Sequence, residues 1–188
     1  MAGPHSDGIF IRRGFLSPFE LAKVLGAFDR LAPRWTASEA LGLLGRGGAS
    51  QLRAGDIAAR AQLDEIRTAL APAALRWARA CGFRLPPAPY LQLFPVRMVG
   101  SADAPAYQEP HLDSDVSHAA PPICTNVFYA RAHAVQGGAL AAKRGPDLAD
   151  PVTVAPTPNT IVTFRGDRVH WVLPLTAGER LSVVINFY

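Results

Sequence analysis

The sequence is poor in cysteine, with only Cys81 and Cys124 among its 188 residues. The two stand far apart in unlike contexts, so a framework of disulfides is not expected to hold the fold together. Each is interpreted as a packing residue, because a buried free cysteine usually behaves as a small hydrophobic side chain. The scarcity of cysteine favours a reducing compartment, and we expect a cytoplasmic protein.

Long apolar runs are absent as well. No stretch of eighteen apolar residues occurs, and residues 1–8 lack the apolar core of a secretory signal. Since a membrane-spanning helix needs about 20 predominantly apolar residues, no membrane association is predicted.

Charge is sparse and not clustered. Charged residues make up 18% of the chain, and the net charge of +4 comes mainly from scattered arginines. The lysine and arginine block typical of a nucleic-acid footprint is missing, and no basic surface with aromatic residues for base stacking can be recognised. Nucleic acid is therefore not expected as a partner, and a basic pocket for acidic small molecules explains the excess equally well.

Hydrophobic residues are plentiful at 49%, and 16 glycines and 17 prolines indicate many turns. A chain of this length can bury one substantial core, so residues 1–188 are predicted to form a single domain. The first part, residues 1–89, is interpreted as a helical support region. Residues 90–188 are interpreted as its β-rich core.

Helical signals dominate the first part. After a short strand at 9–11, Ser17-Pro18-Phe19-Glu20 has the pattern of a capping box that opens a helix. Apolar spacing predicts further helices over 57–70 and 72–81, with Gly82 as the stop. The glycine-rich residues 36–55 form a poor helix at best, and no structure is assigned to them.

Short β-rich runs fill the second part. Eight such runs, separated by proline and glycine turns, favour a jelly roll with two packed sheets over alternating βα units. The last run has two distinct faces, because Arg180, Ser182, Val184 and Asn186 alternate with four residues that are all apolar. The polar face should line a cavity, and helices should cover the apolar face. The eight runs are 90–98, around 111, 123–130, 138–143, 152–154, 160–164, 169–173 and 180–187.

The segment His111-Leu112-Asp113 carries the clearest chemical signal. In an extended strand, side chains two positions apart point to the same side, so His111 and Asp113 could bind one metal ion. His170, brought back by the fold, would complete the triad of two histidines and one carboxylate found in non-haem Fe(II) oxygenases. On the last strand, Arg180 and Ser182 could bind a carboxylate from one face.

The order of these motifs resembles the 2-oxoglutarate and Fe(II)-dependent dioxygenases of the prolyl-hydroxylase-like group. The likeness covers about residues 9–188 and includes Phe128-Tyr129 followed by Gly137-Gly138. It implies a cupin-like double-stranded β-helix with helices on the outer face of one sheet. The implied metal ligands and catalytic residues are His111, Asp113 and His170.

The resemblance also implies Fe(II), 2-oxoglutarate and O2 as cofactor and co-substrates. Arg180 would hold the distal carboxylate of 2-oxoglutarate, assisted by Ser182 and Tyr129. Hydroxylation of a C–H bond, with release of succinate and CO2, is the implied reaction. Because Asp113 is present, a halogenase is disfavoured. Asp115, Trp171, Arg165 and Arg168 flank the ligands and are candidate substrate contacts, whereas Tyr107 stands one position away from the family's tyrosine.

Two other functions remain open at this stage. One is a metal-binding cupin without 2-oxoglutarate chemistry, and the other is a non-catalytic ligand-binding domain. The small chain favours a small molecule, a free amino acid or a peptide side chain as substrate. Residues 42–55 and 97–109 are expected to shape specificity, as loops do on a rigid scaffold.

Overall fold

The computed structural model describes residues 8–31, 49–51, 60–113, 120–143 and 150–188. This part of the chain contains two helices and nine strands. The helices are α1 (Pro18–Leu31) and α2 (Arg60–Ala80). The strands are β1 (Ile9–Arg13), β2 (Ala49–Gln51), β3 (Leu91–Gly100), β4 (Ala106–His111), β5 (Cys124–Gly137), β6 (Leu140–Ala142), β7 (Val152–Val154), β8 (Thr160–Arg165) and β9 (His170–Phe187).

Helix α1 begins at the predicted capping box. The Ser17 hydroxyl donates to a Glu20 carboxylate oxygen at 2.7 Å, and the Glu20 amide donates back to the Ser17 oxygen at 3.3 Å. These bonds satisfy polar groups that the first turn of a helix leaves without partners.

Helix α2 is a single helix where the sequence predicts two. Pro72 lies inside it, although proline removes one backbone hydrogen bond. The buried face of α2 continues through the proline at intervals of four, and packing of that face outweighs the local cost. The residues of that face are Ile66, Leu70, Ala74 and Ala78. In the described residues, no helix is long and apolar enough to cross a membrane.

All strand pairs are antiparallel, in the order β1-β8-β5-β9-β3-β2. Strand β9 is long enough to join two layers. Its first residues pair with β4 and β6, and its later residues pair with β5 and β3. The layers face each other, because Phe164 of β8 lies 5.0 Å from His170 between ring centroids. The predicted double-stranded β-helix is confirmed.

The alternation predicted for the last strand is also confirmed. Leu181, Val183, Ile185 and Phe187 pack with α1 and α2 in one core cluster. Arg180, Ser182 and Asn186 are buried on the other face, which looks into the space between the layers. Helices on the outside and polar side chains on the inside follow from the period of two along a strand.

A buried hydrogen-bond chain ties α2 to the outer face of the sheet. The Trp77 indole N–H donates to the Thr163 hydroxyl at 3.0 Å, and that hydroxyl donates to the Asn126 side-chain oxygen at 2.7 Å. The Asn126 amide donates to the Ile185 carbonyl at 2.9 Å. The chain satisfies polar groups that would be costly to bury alone, and so it positions the helix on the sheet.

Several predicted boundaries are wrong. The runs at 169–173 and 180–187 are one strand, β9, because pairing with four neighbouring strands holds the residues between them extended. Residues 49–51, within the segment left without structure, form β2 against β3. The other residues of the 42–55 segment, 42–48 and 52–55, lie outside the described residues. Much of the 97–109 segment is strand, and only 101–105 connects β3 to β4.

Both cysteines are free thiols. Burial raises the pKa of Cys81 to about 11 and that of Cys124 to about 12. The reactive thiolate is therefore scarce at neutral pH and increases about tenfold per pH unit below those values. We expect iodoacetamide to label the folded protein very slowly at pH 7.5, faster at higher pH, and completely after unfolding. Rapid labelling of folded protein at pH 7.5 would contradict this.

Candidate active site

Two histidines and one aspartate meet between the layers. His111 of β4 pairs directly with His170 of β9, and Asp113 follows two residues after His111. The Asp113 carboxylate oxygens lie 3.8 Å from His111 Nε2 and 3.7 Å from His170 Nε2. Ligand atoms of all three residues lie within 4.8 Å of one another, so one metal ion could contact all of them.

The imidazole rings are oriented by the backbone. The distance from His111 Nδ1 to the Glu109 carbonyl is 2.7 Å, and that from His170 Nδ1 to the Arg168 carbonyl is 3.1 Å. A protonated Nδ1 donates in both cases, which leaves Nε2 of each ring to bind a metal. Burial lowers the pKa of His170, against the opposing effect of Asp113, and favours the neutral imidazole that metals require.

Thr125 supports the carboxylate. Its hydroxyl donates to an Asp113 oxygen at 3.2 Å from the facing layer. Phe164, opposite Thr125 in the next strand, packs against the His170 ring. These two contacts fix both the Asp113 carboxylate and the His170 imidazole. Residues around a metal commonly set the geometry of its ligands in this way.

Replacing Thr125 with valine tests this support. Valine preserves the shape but loses the hydroxyl, so we expect divalent-metal affinity to fall about tenfold, the lower end of the effect of losing a group that orients a ligand. Competition with a chelating dye measures it. Thr163→Val is the matched control on the outer face of the sheet and should weaken stability without weakening metal binding. Equal metal affinities for Thr125→Val and the unmodified protein would contradict the prediction.

Arg180 is a buried cation, 3% exposed. One guanidinium nitrogen donates to the Gly138 carbonyl at 3.0 Å, and the group lies 4.9 Å from the centre of the Tyr129 ring. Burial lowers the pKa of Arg180. No carboxylate pairs with it among the described residues. A buried charge without a counterion is costly, so this arrangement calls for an anionic ligand.

Three polar atoms beside one another have no hydrogen-bond partner within the described structure. They are Nε of Arg180, the Ser182 hydroxyl and the Tyr129 hydroxyl. Tyr129 and Ser182 are directly opposite residues of neighbouring strands. Burial raises the pKa of Tyr129, so its hydroxyl stays protonated and can donate. A carboxylate oxygen can accept from all three groups, which fits the distal end of 2-oxoglutarate.

The glycine pair before β6 shapes the wall beside Arg180. Gly137 and Gly138 have φ of 79° and 69°, a region that favours glycine. A Cβ on Gly137 would lie 2.0 Å from the Pro174 carbonyl oxygen. The bend therefore requires glycine, and it presents the Gly138 carbonyl to Arg180.

The predicted substrate contacts that flank the metal ligands do not all lie on the same face as those ligands. Alternation along β9 puts Trp171 on the face opposite to His170. Arg168 is half-buried and donates to the Lys143 carbonyl, while Arg165 pairs with Asp167 near the surface. Tyr107 is half-buried on β4. Asp115 lies outside the described residues.

Sequence reasoning overlooked three residues of the site. Thr125, Phe164 and Asn186 share a row across β8, β5 and β9. Alternation with Val127 and Tyr129 places Thr125 on the inner face, and alternation with Arg180 and Ser182 does the same for Asn186. The sequence pattern therefore indicated the face of Thr125 and of Asn186. Nothing in the neighbouring residues of the sequence identifies the hydrogen-bond partner of either side chain.

Comparison with known families agrees with the geometry. Residues 99–188 match the model of the 2OG-Fe(II) oxygenase superfamily, and they contain the histidines, Asp113, Tyr129, Arg180 and Ser182 described above. This part of the chain, which contains the candidate site, is similar to the 2OG-Fe(II) oxygenase superfamily. The protein is accordingly a dioxygenase, and the predicted use of Fe(II), 2-oxoglutarate and O2 is confirmed. Curated protein sequences gave no significant match.

Solved structures share the fold of this oxygenase. A prolyl-4-hydroxylase from Pseudomonas putida is 19% identical with a TM-score of 0.66, covering 97% of this chain and 92% of that one. A prolyl hydroxylase from Trichoplax adhaerens, solved with a peptide of hypoxia inducible factor, is 15% identical with a TM-score of 0.65, covering 97% and 84%. SnoN, an alpha-ketoglutarate-dependent epimerase from nogalamycin biosynthesis, is 19% identical with a TM-score of 0.68, covering 97% and 78%.

Proposed function

We propose that this oxygenase hydroxylates a C–H bond of a small molecule, a free amino acid or a peptide side chain within a single domain, residues 1–188. His111, Asp113 and His170 hold the iron. Arg180, Ser182 and Tyr129 hold the distal carboxylate of 2-oxoglutarate. The reaction releases succinate and CO2.

The observation that carries this proposal is the buried Arg180 without a carboxylate partner in the described structure. It faces the same interior as the three metal-ligand candidates and is surrounded by unsatisfied hydrogen-bond donors. A cupin that bound only metal would gain nothing from a buried, uncompensated cation. A dicarboxylate that reaches from the metal to Arg180 supplies the missing charge.

The residues of the chain then have separate tasks. His111, Asp113 and His170 would hold the metal through two imidazole nitrogens and one carboxylate oxygen. Arg180 neutralises the distal carboxylate, while Ser182 and the protonated Tyr129 orient it by hydrogen bonds. Apolar side chains around Val127 and Val162 keep water away from the reacting centre. When bound, iron would activate O2, which takes two electrons from 2-oxoglutarate as it becomes succinate and CO2 and two from the substrate C–H bond that is hydroxylated.

The structural relatives include a prolyl hydroxylase bound to a peptide and an epimerase, so proteins with this fold act on different molecules. Asp115, Trp171 and Arg168 remain our candidates for substrate contacts.

The deciding experiment adds Fe(II) and 2-oxoglutarate to the purified protein without oxygen. We expect a visible charge-transfer band that requires both additions. Succinate release is then measured with amino acids and short peptides in the presence of oxygen. Metal binding without the band would favour a cupin that does not use 2-oxoglutarate, and failure to bind metal would contradict the proposal altogether.

A further inference from the structure

Asn186 is an unexplained polar residue of the inner face. Its side chain is fully buried, and its Oδ1 atom has no hydrogen-bond partner among the described residues. An unsatisfied buried acceptor costs free energy, so native structures rarely keep one without a role. The three unsatisfied groups around Arg180 have the co-substrate as their explanation, whereas Asn186 has none.

The amide of Asn186 is held in one orientation. Its Nδ2 donates to Gln92 Oε1 at 3.0 Å across the β3–β9 pair. The Tyr188 hydroxyl donates to the same Gln92 oxygen at 3.4 Å. Because the nitrogen of Asn186 is used in this way, its oxygen is presented as a fixed acceptor.

Asn186 lies at the level of the metal-ligand candidates. It is directly opposite Thr125, whose hydroxyl donates to Asp113. Directly opposite residues in a sheet have Cβ atoms about 5 Å apart. One side chain therefore separates Asn186 from the carboxylate that would bind iron.

The co-substrate offers Asn186 no hydrogen-bond donor. At neutral pH the carboxylate and keto oxygens of 2-oxoglutarate only accept hydrogen bonds, so none of them can satisfy the Oδ1 atom of Asn186. An N–H or O–H group of the molecule that is oxidised can do so.

The part of the inner face around Asn186 and Gln92 lies close to the protein surface. Tyr188 packs edge-on against Tyr90, with ring centroids 5.7 Å apart. Tyr90 is 47% exposed, and Gln92 is half-buried. A ligand entering beside Tyr90 would pass Gln92 before it met Asn186.

We propose that Asn186 determines substrate specificity by accepting a hydrogen bond from a neutral amide N–H next to the carbon that is oxidised. The inference rests on the proposed function and narrows its substrate to amide-bearing molecules, such as peptides. A neutral donor fits because Asn186 and Gln92 are both uncharged, whereas an ammonium group would call for a carboxylate.

The chain offers a direct spectroscopic test. It contains only three asparagines, Asn126, Asn159 and Asn186, so protein labelled with 15N-asparagine gives three pairs of side-chain amide resonances. Asn126 and Asn159 form structural hydrogen bonds and act as internal controls. Asn186→Leu, or Asn186→Ser if leucine prevents folding, assigns the third pair by its disappearance.

The probes are N-methylacetamide, which has an N–H, and methyl acetate, which has the same shape without it. They are titrated into protein alone and into protein with Zn(II) and 2-oxoglutarate. We expect N-methylacetamide to shift the Asn186 resonances saturably, with an affinity about tenfold or more above that of methyl acetate, since an unsatisfied acceptor is costly. The control resonances should stay in place.

Three outcomes would overturn the inference. They are no Asn186 shift with either probe up to its solubility limit, equal or tighter binding of methyl acetate, and equal shifts of all three asparagines. Binding of 2-oxoglutarate is measured on the same samples. Its absence would contradict the proposed function, while the titration of protein alone still decides the role of Asn186.

Discussion

Replacing His170 with alanine is expected to abolish Fe(II) binding at micromolar metal and, with it, all succinate release. His170 supplies one of the three candidate ligands that meet among the described residues, and its Nε2 lies 3.7 Å from the Asp113 carboxylate. Losing a group that merely orients a ligand costs about 10-fold to 100-fold in metal affinity, so losing a ligand itself should cost more. Metal content after dialysis and the anaerobic charge-transfer band measure the effect.

The matched control for this change is His133→Ala. His133 is an exposed histidine on β5, away from the interior of the sheet layers. It should bind iron and form the band like the unmodified protein. Normal iron content in folded His170→Ala, checked by circular dichroism, would remove His170 from the metal site.

Replacing Arg180 with methionine is expected to weaken 2-oxoglutarate binding about 30-fold or more while leaving metal affinity unchanged. Loss of one member of a buried, hydrogen-bonded charge pair costs about 2–5 kcal/mol, and each 1.4 kcal/mol is a factor of about ten. Titration of the charge-transfer band with 2-oxoglutarate gives the affinity. Metal binding without 2-oxoglutarate serves as the internal reference.

The same variant should change stability in the opposite direction when no co-substrate is present. Arg180 is buried without a carboxylate partner in the described structure, and a hydrophobic residue of similar volume avoids that desolvation. We therefore expect the ligand-free variant to have a higher Tm than the unmodified protein and to gain no Tm on adding 2-oxoglutarate.

Arg131→Met provides the comparison for a surface arginine. Arg131 pairs with Asp29 at 2.9 Å near the surface, and such a pair contributes little. Neither 2-oxoglutarate affinity nor its stabilising effect should change. If Arg180→Met bound 2-oxoglutarate as tightly as Arg131→Met does, the carboxylate would have to be held elsewhere.

Local periodicity in the sequence was enough to predict several parts of the fold and the site. Alternation along β9 placed Arg180 and Ser182 on one face and Leu181 and Val183 on the other, as the structure has them. The spacing of His111 and Asp113 placed both on one side of the chain. The capping box at Ser17 set the start of α1. Each of these follows from backbone geometry over a few residues.

Which distant residues meet depends on the tertiary structure. His111 pairs with His170, Thr125 bonds Asp113, and Asn186 bonds Gln92, because strands far apart in sequence lie side by side. The same cause makes β9 one strand, because its hydrogen bonds with neighbouring strands outweigh the local turn signals. In the same way, tertiary packing keeps α2 helical at Pro72. The alternation of side chains along a strand predicts which face of the sheet each residue occupies. The register between strands depends on the whole sheet, and that register brings the residues of the site together.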